Sequence, residues 1–426
     1  MFPSPSTLKD PASRRMFIET IAQLTLGVSA YGLAGPGTAQ AAKPAVGGGK
    51  AKSLIYIYVD GGLSHVDSLD PKKSKDIMGP TTVIDTKVDT IKLGHYFEKL
   101  AAQADQIALV RSLTTTNGAH EPGRYIMRTG YSQRNTIVHP TVGPFVTKLL
   151  GKRGEVLPDS VVVGQATSNS GFLDPSLAPV PIADPSGGLP NAKLLTDADQ
   201  FARRMQIASQ LGQKFSDRFK YARAKSYVSY YEQANKLLNS SDLQVFDISA
   251  EGDAAREAYG SSTAGQGCLL ARRLVEAGVR VVEVVTSGWD MHVGLQEGLE
   301  EKGPMLDQAI AALIADLKQR GLLESTLIAV GTEFGRTPKM NVNGGRDHHP
   351  RCYSGLFAGG GVAGGRVHGE TDGQGEKVKT DPVKPEDFIA TMGFALGVPL
   401  DQEVYSPSKR PFKFGNGGTP LADLFA

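Results

Sequence analysis

The chain has 426 residues, of which 40% are hydrophobic and 21% are charged, a composition typical of an ordinary globular protein. Its 46 basic and 44 acidic residues leave almost no net charge. The basic excess with which a nucleic-acid-binding protein neutralises phosphates is therefore missing, and we expect no nucleic-acid partner. The two cysteines, Cys268 and Cys352, match no metal-binding spacing, and two unpaired buried thiols are the better interpretation.

The first 41 residues have the features of a twin-arginine signal peptide. Arg14 and Arg15 precede bulky apolar residues, a moderately apolar stretch over residues 21–34 and a small-x-small cleavage site at residues 39–41. The apolar stretch is too short and too polar for a stable membrane span after cleavage. We therefore expect the twin-arginine export machinery to carry the folded chain to the periplasm or the exterior, with residues 42–52 as a linker.

Short apolar runs recur along residues 53–426, which we interpret as one domain. The runs that predict strands cover residues 53–59, 106–110, 160–163, 279–285, 326–330 and 355–358. Helical patterns at residues 266–277 and 295–320 lie between them. This alternation predicts an α/β fold with a three-layer, doubly wound, mainly parallel sheet. Residues 190–240 are charged and contain no strand pattern, which predicts a helical insertion.

Histidines and carboxylates are concentrated in the loops beside the predicted strands. Five of the eight histidines lie there, each within two residues of a carboxylate: His65, His120, His292, His348 and His349. Ligands of a doubly wound sheet bind beyond the carboxyl ends of its strands. Carboxylates and neutral imidazoles together suit a divalent cation such as Zn²⁺ or Mn²⁺. The sequence therefore predicts a metal site at one edge of the sheet.

Several longer motifs resemble a known family. They include GGLSHVDSLDPK at residues 61–72, CLLARRLVE at 268–276, GWDMH at 288–292, TEFGRTP at 332–338 and GRDHHP at 345–350. They resemble the bacterial domain-of-unknown-function family 1501 through essentially the whole chain that follows the signal. The resemblance implies a fold similar to that of the alkaline phosphatase and sulfatase superfamily.

Two segments resemble that superfamily's own motifs. Residues 120–130, HEPGRYIMRTG, are similar to the sulfatase stretch Cys-x-Pro-Ser-Arg-x-x-x-x-Thr-Gly, with His120 at the position of the nucleophile. Residues 332–335, TEFG, are similar to Ser-Asp-His-Gly, with Glu333 in place of the aspartate and Phe334 in place of a metal-binding histidine. A Ser, Thr or Cys nucleophile is thus missing from its expected position.

The family resemblance implies no established reaction. The resemblance to the superfamily, taken with the signal peptide, favours the hypothesis of an exported, metal-dependent hydrolase of sulfate or phosphate esters, acting on an anionic small-molecule or glycan ester. It implies one or two divalent ions, of Zn, Mn, Ca or Mg. The residues that it implies as metal ligands are Asp60, Asp290, His292, Glu333, Asp347, His348 and His349. As catalytic residues it implies His120 and Arg124, which would contact the anion, and Arg336, which would stabilise developing charge. His65 and Asp67 are outer-shell or alternative ligands.

The alternative is a non-catalytic binding protein. In this hypothesis the same residues hold a structural metal ion, and the partner is an anionic glycan or another protein. The histidine at position 120 favours this alternative, because the residue that usually attacks the ester is absent. Purified protein that contains metal but turns over no ester would support it.

Overall fold

The computed structural model describes residues 49–164, 168–190, 192, 197–219 and 232–425. The predicted signal peptide at residues 1–41 lies outside the described residues, as does most of the predicted linker. Ala51 is already buried, and its amide donates to the carbonyl of Ala395 at 3.0 Å. The folded domain therefore includes the last residues that the sequence had assigned to the linker.

The domain is built on an eight-stranded sheet in the order β8-β2-β7-β6-β1-β5-β3-β4. The strands are β1 Ser53–Val59, β2 Ile107–Leu113, β3 Ser160–Val163, β4 Val180–Ile182, β5 Val281–Thr286, β6 Thr326–Thr332, β7 Tyr353–Gly359 and β8 Arg366–His368. Every residue of β1 is buried, as expected of a central strand with a helical layer on each face.

One strand, β7, runs against the rest of the sheet. It is antiparallel to its neighbours β2 and β6, whereas the other pairings among the described strands of this sheet are parallel. The chain therefore enters β7 at the edge where the parallel strands end. This direction brings the residues before β7 to the same edge as the residues after β1, β5 and β6.

Helices cover both faces of the sheet. They are α1 Lys75–Met78, α2 Glu98–Ala101, α3 His120–Thr129, α4 Val142–Leu150, α5 Ala198–Phe219, α6 Asp253–Tyr259, α7 Thr263–Glu276, α8 Leu295–Gln319 and α9 Pro385–Ala395. One apolar core contains Ile55 and Ile57 of β1 together with α7 and α8. The other contains Tyr56 and Tyr58 of β1 together with α3, α4 and α9. The predicted three-layer, mainly parallel α/β fold is confirmed.

The region of the predicted insertion is described in part. Helix α5 and residues 232–238 are helical, and short 3₁₀ turns at Ser241–Phe246 and Ile248–Ala250 lead to α6. Residues 193–196 and 220–231 lie outside the described part, so the insertion as a unit stays a prediction. Among the described residues, the helices are all too short or too polar to cross a membrane.

Four short antiparallel ribbons lie outside the main sheet in the described part of the chain. They pair Val83–Asp85 with Lys92–Gly94, Gly335–Arg336 with His348–His349, Glu370–Thr371 with Val378–Thr380, and Val404–Tyr405 with Pro411–Phe412. The second ribbon positions the candidate site, because it sets His348 opposite Arg336. Cys268 and Cys352 are free and buried, as predicted, and burial raises the pKa of each thiol to about 12.

Candidate metal centre

The loops at the carboxyl edge of the sheet meet through very close backbone contacts. Gly61 follows β1 with a φ of 126°, and a Cβ atom there would lie 2.5 Å from the amide nitrogen of Asp290. On helix α3, a Cβ atom at Gly123 would lie 2.9 Å from that of Glu333. Only glycine permits these approaches, which bring the loops after β1, β5 and β6 against the start of α3.

Three side chains from distant parts of the chain converge at this edge. His120 is the first residue of α3, Asp290 lies in the loop after β5, and His348 precedes β7. One ligand atom from each lies within 4.8 Å of the others, a spacing that could hold a metal ion. The Nε2 atom of His120 is 3.2 Å from Oδ2 of Asp290, and the Nε2 atom of His348 is 3.3 Å from Oδ1.

The hydrogen bonds on the far sides of the two rings fix their neutral tautomers. The Nδ1 atom of His120 lies 2.7 Å from Oε1 of Glu333, and that of His348 lies 2.8 Å from the carbonyl oxygen of Gly118. Both partners are acceptors, so each Nδ1 must carry the proton. In the neutral rings, both Nε2 lone pairs therefore face the carboxylate of Asp290. Three acceptors directed at one point require a proton or a cation between them.

The Nε2 atom of His120 is buried and, within the described part of the chain, has no hydrogen-bond partner. A buried polar atom without a partner is costly, and such atoms often mark a missing ion or water. The hydrogen bond to Glu333 raises the pKa of His120 against the opposing effect of burial. Raised basicity also makes an imidazole a stronger metal ligand.

Asp290 is held from outside the cluster by Arg336, whose side chain is only 1% exposed. Burial alone would raise the pKa of Asp290, but the hydrogen bond at 2.5 Å from the Arg336 guanidinium holds it well below its usual range. Arg336 also donates to the carbonyl oxygens of Gly61, Gly62 and Arg346. The structure thus places Arg336 behind Asp290, as its support.

His292 lies at the exposed rim of the cluster. Its Nδ1 atom is 2.8 Å from Oδ1 of Asp290, and its ring centroid is 4.7 Å from that of His348. The side chain is 41% exposed. His292 can therefore act as a fourth ligand or as a donor that orients Asp290.

Glu333 is fully buried beneath the cluster, and both of its oxygens have partners. Oε1 accepts from the amide of Gly61 at 2.8 Å and from His120. Oε2 accepts from the hydroxyl of Tyr58 at 3.1 Å and lies 3.2 Å from that of Thr332. The structure places Glu333 one step behind the candidate ligands.

Asp60 directly follows β1 and binds Arg124 of helix α3 through its Oδ1 atom. The Asp60 side chain is 18% exposed and that of Arg124 is 42% exposed. This pair lies at the same edge as the His120 cluster, and Arg124 keeps part of its guanidinium open to solvent.

Asp347 and His349 flank His348 in sequence but face other neighbours. Asp347 is exposed and accepts from the side chain of Asn341 at 3.0 Å. His349 lies 2.8 Å from the carbonyl oxygen of Glu376 through Nε2, and burial lowers its pKa. Adjacent residues of a strand point to opposite faces, so His348 and His349 diverge.

His65 and Asp67 are fully buried and have partners of their own. The Nε2 atom of His65 lies 2.9 Å from the carbonyl oxygen of Gly375, and burial lowers the pKa of His65 to about 4. Asp67 forms two hydrogen bonds with Arg346, at 2.7 and 3.0 Å, and a third with Thr81 at 2.6 Å. Of the two aspartates after β1, Asp60 is thus the one beside the candidate centre.

Two groups that shape the centre were missed by the sequence analysis. The carbonyl of Gly118 fixes the tautomer of His348, but a backbone acceptor leaves no signal in the sequence. The hydroxyl of Tyr58 supports Glu333, and here a signal was available, because Tyr58 places a hydroxyl near the carboxyl end of a mainly apolar strand.

The fold and the site define a mainly parallel α/β protein with a candidate metal site at the carboxyl edge of its sheet. The chain belongs to the family described as "Protein of unknown function (DUF1501)", which matches residues 51–425. This match confirms the family resemblance predicted from the motifs. No curated protein matches the sequence.

Several solved structures are similar to this one. The PsFucS1 sulfatase from Pseudoalteromonas sp. is 12% identical with a TM-score of 0.40, covering 98% of this chain and 76% of that one. The phosphonate monoester hydrolase from Silicibacter pomeroyi is 13% identical with a TM-score of 0.37, covering 82% and 74%. The alkaline phosphatase from the Antarctic bacterium TAB5 is 12% identical with a TM-score of 0.34, covering 72% and 91%.

Proposed function

We propose that the protein binds one divalent cation through His120, Asp290 and His348 and hydrolyses a sulfate or phosphate ester. The observation that carries the proposal is the convergence of two imidazole lone pairs on one carboxylate. This donor set suits Zn²⁺ and related ions, and three protein ligands leave coordination positions open for substrate, as in catalytic zinc sites.

We propose one ion and not two, because the other carboxylates near the site already have partners. Glu333 uses both oxygens within the protein, and the negative charge of Asp60 is matched by Arg124. Neither is therefore placed to hold a second ion. When bound, the cation would act as a Lewis acid towards an anionic oxygen of the ester.

Arg124, Arg336 and His120 would have different roles in the reaction. Arg124 would contact the anion, because its ion pair with Asp60 is partly exposed and such pairs exchange at little cost. Arg336 keeps Asp290 ionised and fixed in place. His120 is bonded to Glu333 and directed towards the place of the cation, so we propose that no covalent bond to residue 120 forms. Water would attack the sulfur or phosphorus atom directly, the bond from that atom to the alcohol oxygen would break, and the alcohol would leave with a proton from the water.

The test is Zn²⁺ titration calorimetry combined with turnover of aryl sulfate and aryl phosphate esters. We expect His348→Ala to abolish both binding and turnover. His368→Ala is the matched control. His368 lies at the end of edge strand β8, is also partly buried and has an aspartate partner, Asp423. Wild-type binding and turnover in His348→Ala would contradict the proposal.

The alternative, a metal-containing binding protein for an anionic glycan or a protein partner, is favoured by one observation. His120, at the position where the resemblance implies a nucleophile, has one nitrogen committed to Glu333 and the other directed at Asp290. Zn²⁺ binding by the wild type, with no turnover of any ester, would favour this alternative.

We also propose that the protein is exported by the twin-arginine route. The support is the paired Arg14 and Arg15 with the apolar stretch and cleavage site behind them. Replacing both arginines by lysine should leave the uncleaved protein in the cytoplasm, measured by cell fractionation and mass spectrometry. Export and cleavage of that variant would contradict this part of the proposal.

A further inference from the structure

We infer that Glu333 is a positioning residue, which controls metal affinity through His120 and does not itself bind the ion. The inference deepens the proposed function and rests on its metal site. The sequence resemblance had implied Glu333 as a ligand. The geometry points to a different role, because its carboxylate lies behind the imidazole ring.

The first support is that Glu333 has no oxygen left for a cation. It is 0% exposed, and its oxygens accept hydrogen bonds from the amide of Gly61, the hydroxyl of Tyr58 and the Nδ1–H group of His120. A bond to an ion would require the loss of these contacts in a fully buried environment, where unpaired donors are costly.

The second support is the direction of the His120 ring. Only the tautomer with the proton on Nδ1 presents a lone pair at Nε2, and the carboxylate of Glu333 stabilises that tautomer. A carboxylate behind a ligating imidazole also increases the electron density on the nitrogen that faces the metal. Glu333 therefore sets both the orientation and the strength of His120 as a ligand.

The third support is the rigidity of Glu333 itself. The residue follows β6 directly, and Gly123 of helix α3 packs on its Cβ so closely that any side chain at residue 123 would collide with it. The carboxylate therefore has a fixed position against the first turn of α3, where His120 lies.

The experiment compares a variant of this carboxylate with a variant that loses a buried hydrogen bond elsewhere in the same core. Glu333→Gln keeps the size of the side chain but removes its charge, and we expect Zn²⁺ binding to weaken about 10- to 100-fold. Tyr56→Phe removes a buried hydrogen bond of the same strand, from the Tyr56 hydroxyl to the carbonyl oxygen of Met127 on helix α3, so it is the matched control for general destabilisation. We expect its Zn²⁺ affinity to stay close to that of the wild type.

A second readout needs no metal. In ¹⁵N-histidine NMR of the metal-free protein at alkaline pH, assigned with His120→Gln, the proton of His120 should reside on Nδ1. Glu333→Gln should shift this equilibrium towards the Nε2 tautomer, and Tyr56→Phe should not.

The outcomes separate the two proposals. Zn²⁺ binding by the wild type without ester turnover refutes the hydrolase but leaves the role of Glu333 supported, provided that Glu333→Gln weakens binding. Equal affinities of wild type and Glu333→Gln, equal losses in both variants, or a proton on Nε2 in place of Nδ1 of His120 in the metal-free wild type at alkaline pH would each overturn the positioning role.

Discussion

At the scale of single residues, the site depends on the charge around Asp290. One carboxylate is held by the Arg336 guanidinium on its far side and faces imidazole nitrogens of His120 and His348 on the other. The guanidinium balances the carboxylate, so the two lone pairs have no partner until a cation or protons arrive. In the proposed site, protons and a metal ion would therefore compete for the same place.

This competition predicts a pH dependence. The bond to Glu333 raises the pKa of His120, so in the metal-free protein a protonated His120 contributes stability that is complete below its unfolded-state pKa. That contribution is lost as pH rises through the higher folded-state pKa, while Zn²⁺ binding strengthens over the same interval. Scanning calorimetry should show the difference in Tm between zinc-loaded and metal-free protein widening with pH through this window. A narrowing difference would contradict the assignment.

Gly61→Ala should abolish Zn²⁺ binding. Its Cβ would lie 2.5 Å from the amide nitrogen of Asp290, so the loop that carries this ligand must move away. Gly278→Ala is the control, because Gly278 also has a positive φ, 101°, but has open space around its Cβ position. It should cost about 1–2 kcal/mol of stability and leave Zn²⁺ affinity unchanged. Zinc calorimetry and urea unfolding would check both variants, and normal binding by Gly61→Ala would contradict the packing described.

At the scale of elements, the direction of β7 decides which histidine reaches the site. Because β7 enters the sheet at the carboxyl edge, the ribbon before it carries His348 to the loop after β5. The loop after β1 is tied to the same segment by the ion pair of Asp67 and Arg346, both 0% exposed. The position of the candidate ligands therefore depends on the buried ion pair of Asp67 and Arg346, which does not itself contact them.

Arg346→Met should lower the free energy of unfolding by about 3–5 kcal/mol, because it leaves the buried Asp67 carboxylate without its counter-charge. The exposed pair of Lys379 and Glu370, with side chains 63% and 61% exposed, is the comparison. Lys379→Met should change stability by about 0–1 kcal/mol. Urea unfolding measures both, and similar small losses would refute the structural role of the buried pair.

The strands were predictable where apolar runs are continuous. The bounds of β1 and β3 are those expected from the sequence, because each run is buried on both faces. The strand β2 extends past its predicted end at residue 110 to Leu113, since the guanidinium of Arg111 donates to the carbonyls of Leu69 and Lys92. The strand β5 begins after residue 279, because the amide of Val279 donates to Leu274 and closes helix α7.

The sequence indicated the types of residue at the candidate site, histidines and carboxylates, but not which particular residues lie together there. Each of the five histidines has a carboxylate nearby in sequence, and His292 does contact its neighbour Asp290. For the other four histidines, the partner that matters is distant in the chain. Asp67, two residues from His65, binds Arg346, 279 residues away. His349, next to His348, points to the opposite side of its strand. Such pairings depend on the direction of β7 and on side-chain orientation, which local spacing does not encode.

At the scale of the whole molecule, metal binding should stabilise the fold. The three candidate ligands come from elements that are brought together only in the folded chain, so the ion should bind the native state far more tightly than the unfolded one. At 100 times the dissociation constant, Zn²⁺ should add about 2.7 kcal/mol to the free energy of unfolding. Thermal unfolding with and without Zn²⁺ would measure this. The same gain in Asp290→Asn would contradict it.

The most direct test of the central claim is anomalous X-ray diffraction from crystals of the protein soaked in Zn²⁺, recorded on both sides of the zinc absorption edge. We predict one strong peak within coordination distance of His120 Nε2, the Asp290 carboxylate and His348 Nε2. A peak elsewhere, or the absence of a peak at these three residues at saturating Zn²⁺, would contradict the account.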